Sequence, residues 1–154
     1  MIDKNDKMLV RQIIMSHFVN PDQKGLSDSK ESLKELQNSR VCSDEITVEI
    51  AFKDDIINYA KWDGVSCVIS AASSDILAEQ LSGKTFNQAL EILTNYHKLI
   101  KNEDYEEDKL DELIVFINVA EQGNRVSCAL LGANGYKNLI LQAMEGENET
   151  IKTN

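Results

Sequence analysis

The chain is short of cysteine, of basic residues and of long apolar runs, and each shortage closes off a class of protein. Its three cysteines, Cys42, Cys67 and Cys128, lie far apart in sequence. An odd, scattered set does not build the paired framework of a small secreted protein, and it points to a reducing cytosol. Lys and Arg number 16 against 26 Asp and Glu, and the resulting net charge of -10 repels nucleic-acid phosphates. No apolar stretch reaches membrane-spanning length, and Met1-Ile2-Asp3-Lys4-Asn5-Asp6-Lys7 lacks the apolar core of a signal peptide. The expectation is therefore a cytoplasmic protein with neither a membrane nor a nucleic acid as partner. There is no P-loop, no Gly-rich dinucleotide fingerprint, and no histidine and acid arranged near a serine as a hydrolase triad.

What remains reads as one domain over residues 1–154, long enough for a core without disulfide support. Met8 to Phe18 carries a helical apolar face, and Asn20-Pro21 stops it. Ser27 to Ser32 is a polar surface loop, followed by a weak strand from Leu33 to Asn38. Ile46, Val48, Ile50 and Phe52 alternate strictly as a half-buried strand. Lys53-Asp54-Asp55 turns the chain, and Ile57 to Trp62 returns antiparallel.

Helices follow. Cys67 to Leu81 is the first, closed by Gly83, and Thr85 caps the next, which runs toward Ile100. Asn102 to Glu112 holds seven acidic residues and reads as a solvated loop leading into a helix from Leu110 to Val119. Val126 to Met144 is the last helix, in which Gly132 and Gly135 either weaken the helix or allow close packing, and Glu145 to Asn154 is a polar tail. Strands first and helices later make an α+β domain, a small antiparallel sheet with helices packed on one face.

In this layout each cysteine borders an element. An antiparallel hairpin puts the start of its first strand beside the end of its second, so Cys42 and Cys67 fall at one end of the sheet. Cys67 and Cys128 both lie near helix N-termini, where the dipole favours a thiolate. Asp44, two residues from Cys42, offers an oxygen, and the four together suggest a tetrahedral centre with zinc as the first metal to consider. Cys42 sits in a loop and is the thiol freest to move and react. The competing reading is a set of inert buried thiols. His17 and His97 look structural or superficial, Tyr59 and Trp62 look like packing residues, and Ser70, Ser73 and Ser74 look like capping and solvated residues.

These motifs, in this order, resemble the SufU-type iron–sulfur cluster assembly proteins of the IscU-like and NifU N-terminal family. Leu9 to Gly25, with His17-Phe18 and Asn20-Pro21, is similar to that family's opening helix and turn. Cys42-Ser43-Asp44 resembles its Cys-Gly-Asp, with serine in place of glycine. Cys67-Val68-Ile69-Ser70-Ala71-Ala72-Ser73 resembles Cys-x-Ile-Ser-x-Ala-Ser, Gly83-Lys84-Thr85 resembles Gly-Lys-Thr, and Arg125-Val126-Ser127-Cys128-Ala129-Leu130-Leu131 resembles Arg-x-x-Cys-Ala-x-Leu. Ser127 stands where the shorter IscU type has histidine, while the acidic insert and Arg125 are similar to the SufU type. The resemblance implies zinc on Cys42, Asp44, Cys67 and Cys128, and Cys42 as acceptor of persulfide sulfur from a SufS-type cysteine desulfurase. It also implies Arg125 as nearby positive charge and downstream iron–sulfur assembly proteins as recipients. On that basis the chain would be a sulfurtransferase partner. An iron–sulfur scaffold holding a [2Fe–2S] cluster on the same residues, and a purely structural zinc, stay open beside it.

Overall fold

A computed structural model describes residues 2–39 and 43–153, with side chains as far as Gly146. Helix α1 (Lys7–Val19) leads to strands β1 (Leu33–Asn38), β2 (Glu45–Lys53) and β3 (Ile56–Val65), which form an antiparallel sheet in the order β1-β2-β3. Helices α2 (Val68–Leu81) and α3 (Phe86–Ile100), two 3₁₀ segments (Glu107–Lys109 and Asp111–Glu121) and α4 (Gly123–Thr153) complete the chain. The architecture is α+β, as the order of patterns predicts.

Alternation decides the sheet's inner face. Ile46, Val48 and Ile50 of β2 are completely buried. On β3 strict alternation from Ile57 would bury Tyr59 and Lys61 instead of Ala60 and Trp62. The pairing avoids this, because Phe52 faces Ile57 while Ala51 faces Tyr59, leaving Asn58 as an extra residue. That bulge flips the pleat, and Ile57, Ala60 and Trp62 all point inward.

Helices α2 and α4 lie on this face. A Cβ on Gly132 would sit 2.2 Å from the Ser74 hydroxyl of α2, and one on Gly135 would sit 2.6 Å from Val48 of β2. Of the two roles open to these glycines, close packing is the one the structure uses. Ser70, Ser73 and Ser74 are fully buried, which corrects the expectation of solvated serines. They are the small residues of a helix enclosed by its neighbours, and their hydroxyls stay inside.

Two other expectations change. Residues Asp111–Glu121 wind as a 3₁₀ helix rather than an α-helix, with β-branched Ile114, Val115, Ile117 and Val119 crowding the backbone. Its neighbouring acidic insert is solvated as expected, but Leu110 is buried within it, and the Leu110 carbonyl accepts from Gln80 Nε2 at 2.9 Å. Helix α4 begins at Gly123 rather than Val126, and its helical backbone continues to Thr153 through the stretch expected as a tail.

The outer face of the sheet carries Glu49, which has no exposed surface. Its carboxylate accepts from the Ser27 backbone N–H (2.8 Å), the Ser27 hydroxyl and the Ser32 hydroxyl (2.5 Å), with Lys34 Nζ at 3.3 Å. Burial alone would push this carboxyl up, but those donors more than offset it and hold Glu49 below its ordinary range. A depressed folded-state value means stability that is present at neutral pH and lost as pH falls through that value. Glu49→Ala is expected to cost about 3 kcal/mol at pH 7 by orphaning buried donors. In urea unfolding the gap from the parent should narrow below about pH 4, near the ordinary carboxylate range. A gap that stays constant with pH would contradict the ionised clasp.

Candidate metal centre

The hairpin register builds the centre. Glu45, the first residue of β2, pairs with Val65, the last of β3, so Asp44 and Cys67 leave the sheet side by side. Gly64 makes this closeness sterically feasible: its φ is +142°, and a Cβ there would meet the Glu45 carbonyl oxygen at 2.1 Å. Sequence reading overlooked Gly64, although a glycine inside a strand is a recognised sign of close backbone approach.

Cys67 is the N-cap of α2. Its side chain makes no capping bond; instead its backbone N–H donates to Asp44 Oδ1 at 2.9 Å. The carboxylate thus lies at the positive end of a helix. Asp44 is 3% exposed, and its carbonyl accepts from the Ser39 N–H at 2.9 Å. Ser70, one turn into α2, lies 2.7 Å from Asp44 Oδ2, 2.8 Å from the Cys128 carbonyl and 3.6 Å from Cys67 Sγ. This hydroxyl stitches three candidate ligands together, a role hidden in a sequence where serine reads as solvated.

Cys128 is buried, with its Sγ 3.9 Å from the Asn124 carbonyl. Because α4 starts at Gly123, Cys128 falls in the second turn rather than the first, and the dipole argument applies to Cys67 alone. The ligand atoms of Asp44, Cys67 and Cys128 all lie within 4.8 Å of one another. A tetrahedral zinc with metal–sulfur bonds of about 2.3 Å separates its donors by about 3.8 Å, so small adjustments suffice. Two sulfurs and one oxygen are a donor set that fits this metal.

Cys42 lies outside the described residues. Ser43, next to it, has a φ of 55°, the left-handed region glycine enters freely and other residues enter at about 1–2 kcal/mol. The serine that stands in the family's glycine position therefore adopts a glycine-like backbone. Arg125 is partly buried, three residues before Cys128 and on the same side of α4.

Neither histidine joins this centre's ligands. His17 packs between acids, with Nδ1 2.7 Å from Asp75 and Nε2 3.2 Å from Glu112. His97 is pushed down by burial and by Lys101 and Lys137. Trp62 is a core residue whose indole N–H donates to Asp75 at 3.0 Å, and the Tyr59 hydroxyl donates to Ser27 at 2.8 Å. Trp62 is a packing residue, as expected, whereas Tyr59 is half-buried outside the core, with Lys61 Nζ 5.6 Å from its ring.

A helix-backed three-stranded antiparallel sheet, with two cysteine sulfurs and a carboxylate gathered where its hairpin closes, defines a protein of the IscU/SufU-like α+β class. The solved structure of a SufU protein (FiSufU) from Fervidobacterium islandicum AW-1 superposes with a TM-score of 0.78 at 27% identity, over 88% of this chain and 99% of that one. The chain belongs to the NifU-like N-terminal domain family, whose profile matches residues 9–129. It is 29% identical over 124 residues to the zinc-dependent sulfurtransferase SufU of Bacillus subtilis, covering 80% of this chain and 83% of that protein. It is also 26% identical over 125 residues to the iron–sulfur cluster assembly scaffold protein IscU of Thermotoga maritima, covering 81% and 87%.

Proposed function

We propose that this chain takes part in iron–sulfur cluster assembly by accepting sulfur from a cysteine desulfurase at a zinc-holding centre of Cys42, Asp44, Cys67 and Cys128. The observation that carries this reading is the convergence of Asp44, Cys67 and Cys128 within 4.8 Å, two residues along the chain from Cys42. When bound, zinc keeps its coordinating thiols deprotonated. Cys42 is the acceptor. Its thiolate attacks the outer sulfur of the desulfurase's cysteine persulfide, the donor S–S bond breaks, and the donor cysteine leaves as a thiolate. One S–S bond is exchanged for another, so no outside oxidant is needed.

Arg125 adds positive charge beside Cys128. Val65, 82% exposed and two residues before Cys67, offers apolar surface for the desulfurase at the edge of the centre. The sulfur then passes to downstream assembly proteins. The name of the Thermotoga relative favours a second reading, in which the same ligands support cluster assembly as a scaffold.

Purified protein should carry close to one zinc per chain. After incubation with desulfurase and cysteine, mass spectrometry should find one added sulfur on Cys42, and Cys42→Ala should reduce both the adduct and the stimulation of desulfurase turnover to background. Full stimulation by Cys42→Ala would sink the transfer reading. A visible chromophore formed with iron and sulfide, and passed on to an apo-protein, would favour the scaffold.

A further inference from the structure

On the other flank of α2, away from the thiols, a histidine and two glutamates converge. His17 comes from α1, Glu79 from α2 and Glu112 from the start of the second 3₁₀ segment. One ligand atom from each lies within 4.8 Å of the other two. Behind them stands Asp75, one helical turn before Glu79 and fully buried. Its Oδ1 accepts from the Trp62 indole (3.0 Å) and the Gln23 backbone N–H (2.9 Å), while Oδ2 faces His17 Nδ1 at 2.7 Å.

That arrangement fixes the ring. A carboxylate already anchored by two donors can only accept, so Nδ1 carries the proton. Nε2 is then directed toward Glu112 Oε1 at 3.2 Å and toward Glu79. A ring held through one nitrogen by a carboxylate, with the other nitrogen presented beside further carboxylates, is how proteins prepare histidine for a metal. Glu79 is exposed and makes no hydrogen bond or ion pair among the described residues, and Glu112 is part-exposed, so a cation has an open approach. No lysine or arginine pairs with Asp75, Glu79 or Glu112 among the described residues, and Asp22 adds further negative charge nearby.

We propose that His17 Nε2, Glu79 and Glu112 form a second cation site, specific for a first-row divalent ion and oriented by Asp75. One imidazole and two carboxylates are harder donors than thiolates. They suit an exchangeable ion such as Mn²⁺ or Fe²⁺ rather than the soft coordination of the sulfur centre. Three protein ligands leave open positions, so the ion is accessible. The alternative is that a protonated His17 bridges Asp75 and Glu112 and no metal enters. In that case Glu79 feels the charge of His17 without a hydrogen bond to the ring.

The chain contains only two histidines, and this makes a direct test available. The full-length protein, with one equivalent of zinc added, is titrated with Mn²⁺ alone while the imidazole proton resonances are followed. His17 resonances should broaden away well before those of His97. Glu79→Gln removes a ligand from an exposed position without disturbing the core, and should weaken the Mn²⁺ effect roughly tenfold or more. Equal broadening of both histidines, or an unchanged Mn²⁺ response in Glu79→Gln, would overturn the site. The readout is independent of zinc or sulfur at the thiol centre, so failure there would not be mistaken for failure here.

Discussion

Gly64→Ala is expected to cost about 3 kcal/mol and to empty the metal centre before the rest of the fold is lost. An alanine Cβ at this position would run into the backbone of β2, with the Glu45 carbonyl oxygen at 2.1 Å and the Ile46 Cα at 3.0 Å. Backbone has no rotamer to escape into. The φ of +142° is also a conformation that L-residues rarely adopt. The hairpin must therefore open between Glu45 and Gly64, the end from which Asp44 and Cys67 emerge. Urea unfolding should show the loss of stability, and zinc analysis of still-folded protein should show sub-stoichiometric metal. Gly123→Ala is the control, since a Cβ there has nothing within 4 Å and alanine suits a helix better. Equal behaviour of the two variants would mean that the strands do not approach as closely as described.

The second large effect belongs to Asp75. Asp75→Ala is expected to destabilise by about 4 kcal/mol, because it strips partners from the Trp62 indole, the Gln23 N–H and His17 at once. Those donors sit on β3, on the segment after α1 and on α1 itself, so the loss should loosen the docking of α1 against α2. The hydrogen bond to Asp75 is the largest cause raising His17 above its ordinary value; burial opposes it, and the charges of Glu112 and Asp75 assist. For a group raised on folding, the stabilisation is fully present below the ordinary histidine value of about 6.5 and is lost as pH rises through the folded value. In Asp75→Ala the His17 titration, followed by NMR, should move down toward the ordinary value, and the associated pH dependence of stability should flatten. An unchanged His17 titration would show that Glu112 alone sets it.

Much of the fold was legible because it is written in local periods. The alternation of Ile46, Val48 and Ile50 needs no partner to be recognised, and neither does Thr85 as a helix cap, which the structure completes with Gln88 as a capping box. The closeness of Asp44 and Cys67 followed from hairpin topology, a rule that links residues distant in sequence. Features that depend on a particular neighbour were hidden. Asn58 reveals itself as a bulge only when Trp62 is seen to point inward. Asp75 looks like any acid on a helix until Trp62 and His17, the latter 58 residues away, arrive from other elements. Ser70 looks solvated because serine usually is. The start of α4 was misplaced because Gly123 and Asn124 are poor helix formers, although the first turn tolerates them. The thiols themselves announced the centre, but the groups that hold it in shape did not.

Ser70 also gives the centre a donor shared between Asp44 and α4. Its hydroxyl owns one hydrogen, and two acceptors lie within reach, Asp44 Oδ2 and the Cys128 carbonyl. Only one of the two can receive that hydrogen at a time, so the carboxylate and the α4 backbone share a single donor. Through this one side chain the carboxylate is joined to the helix that carries Arg125 and Cys128. Ser70→Ala would remove that link between α2 and α4.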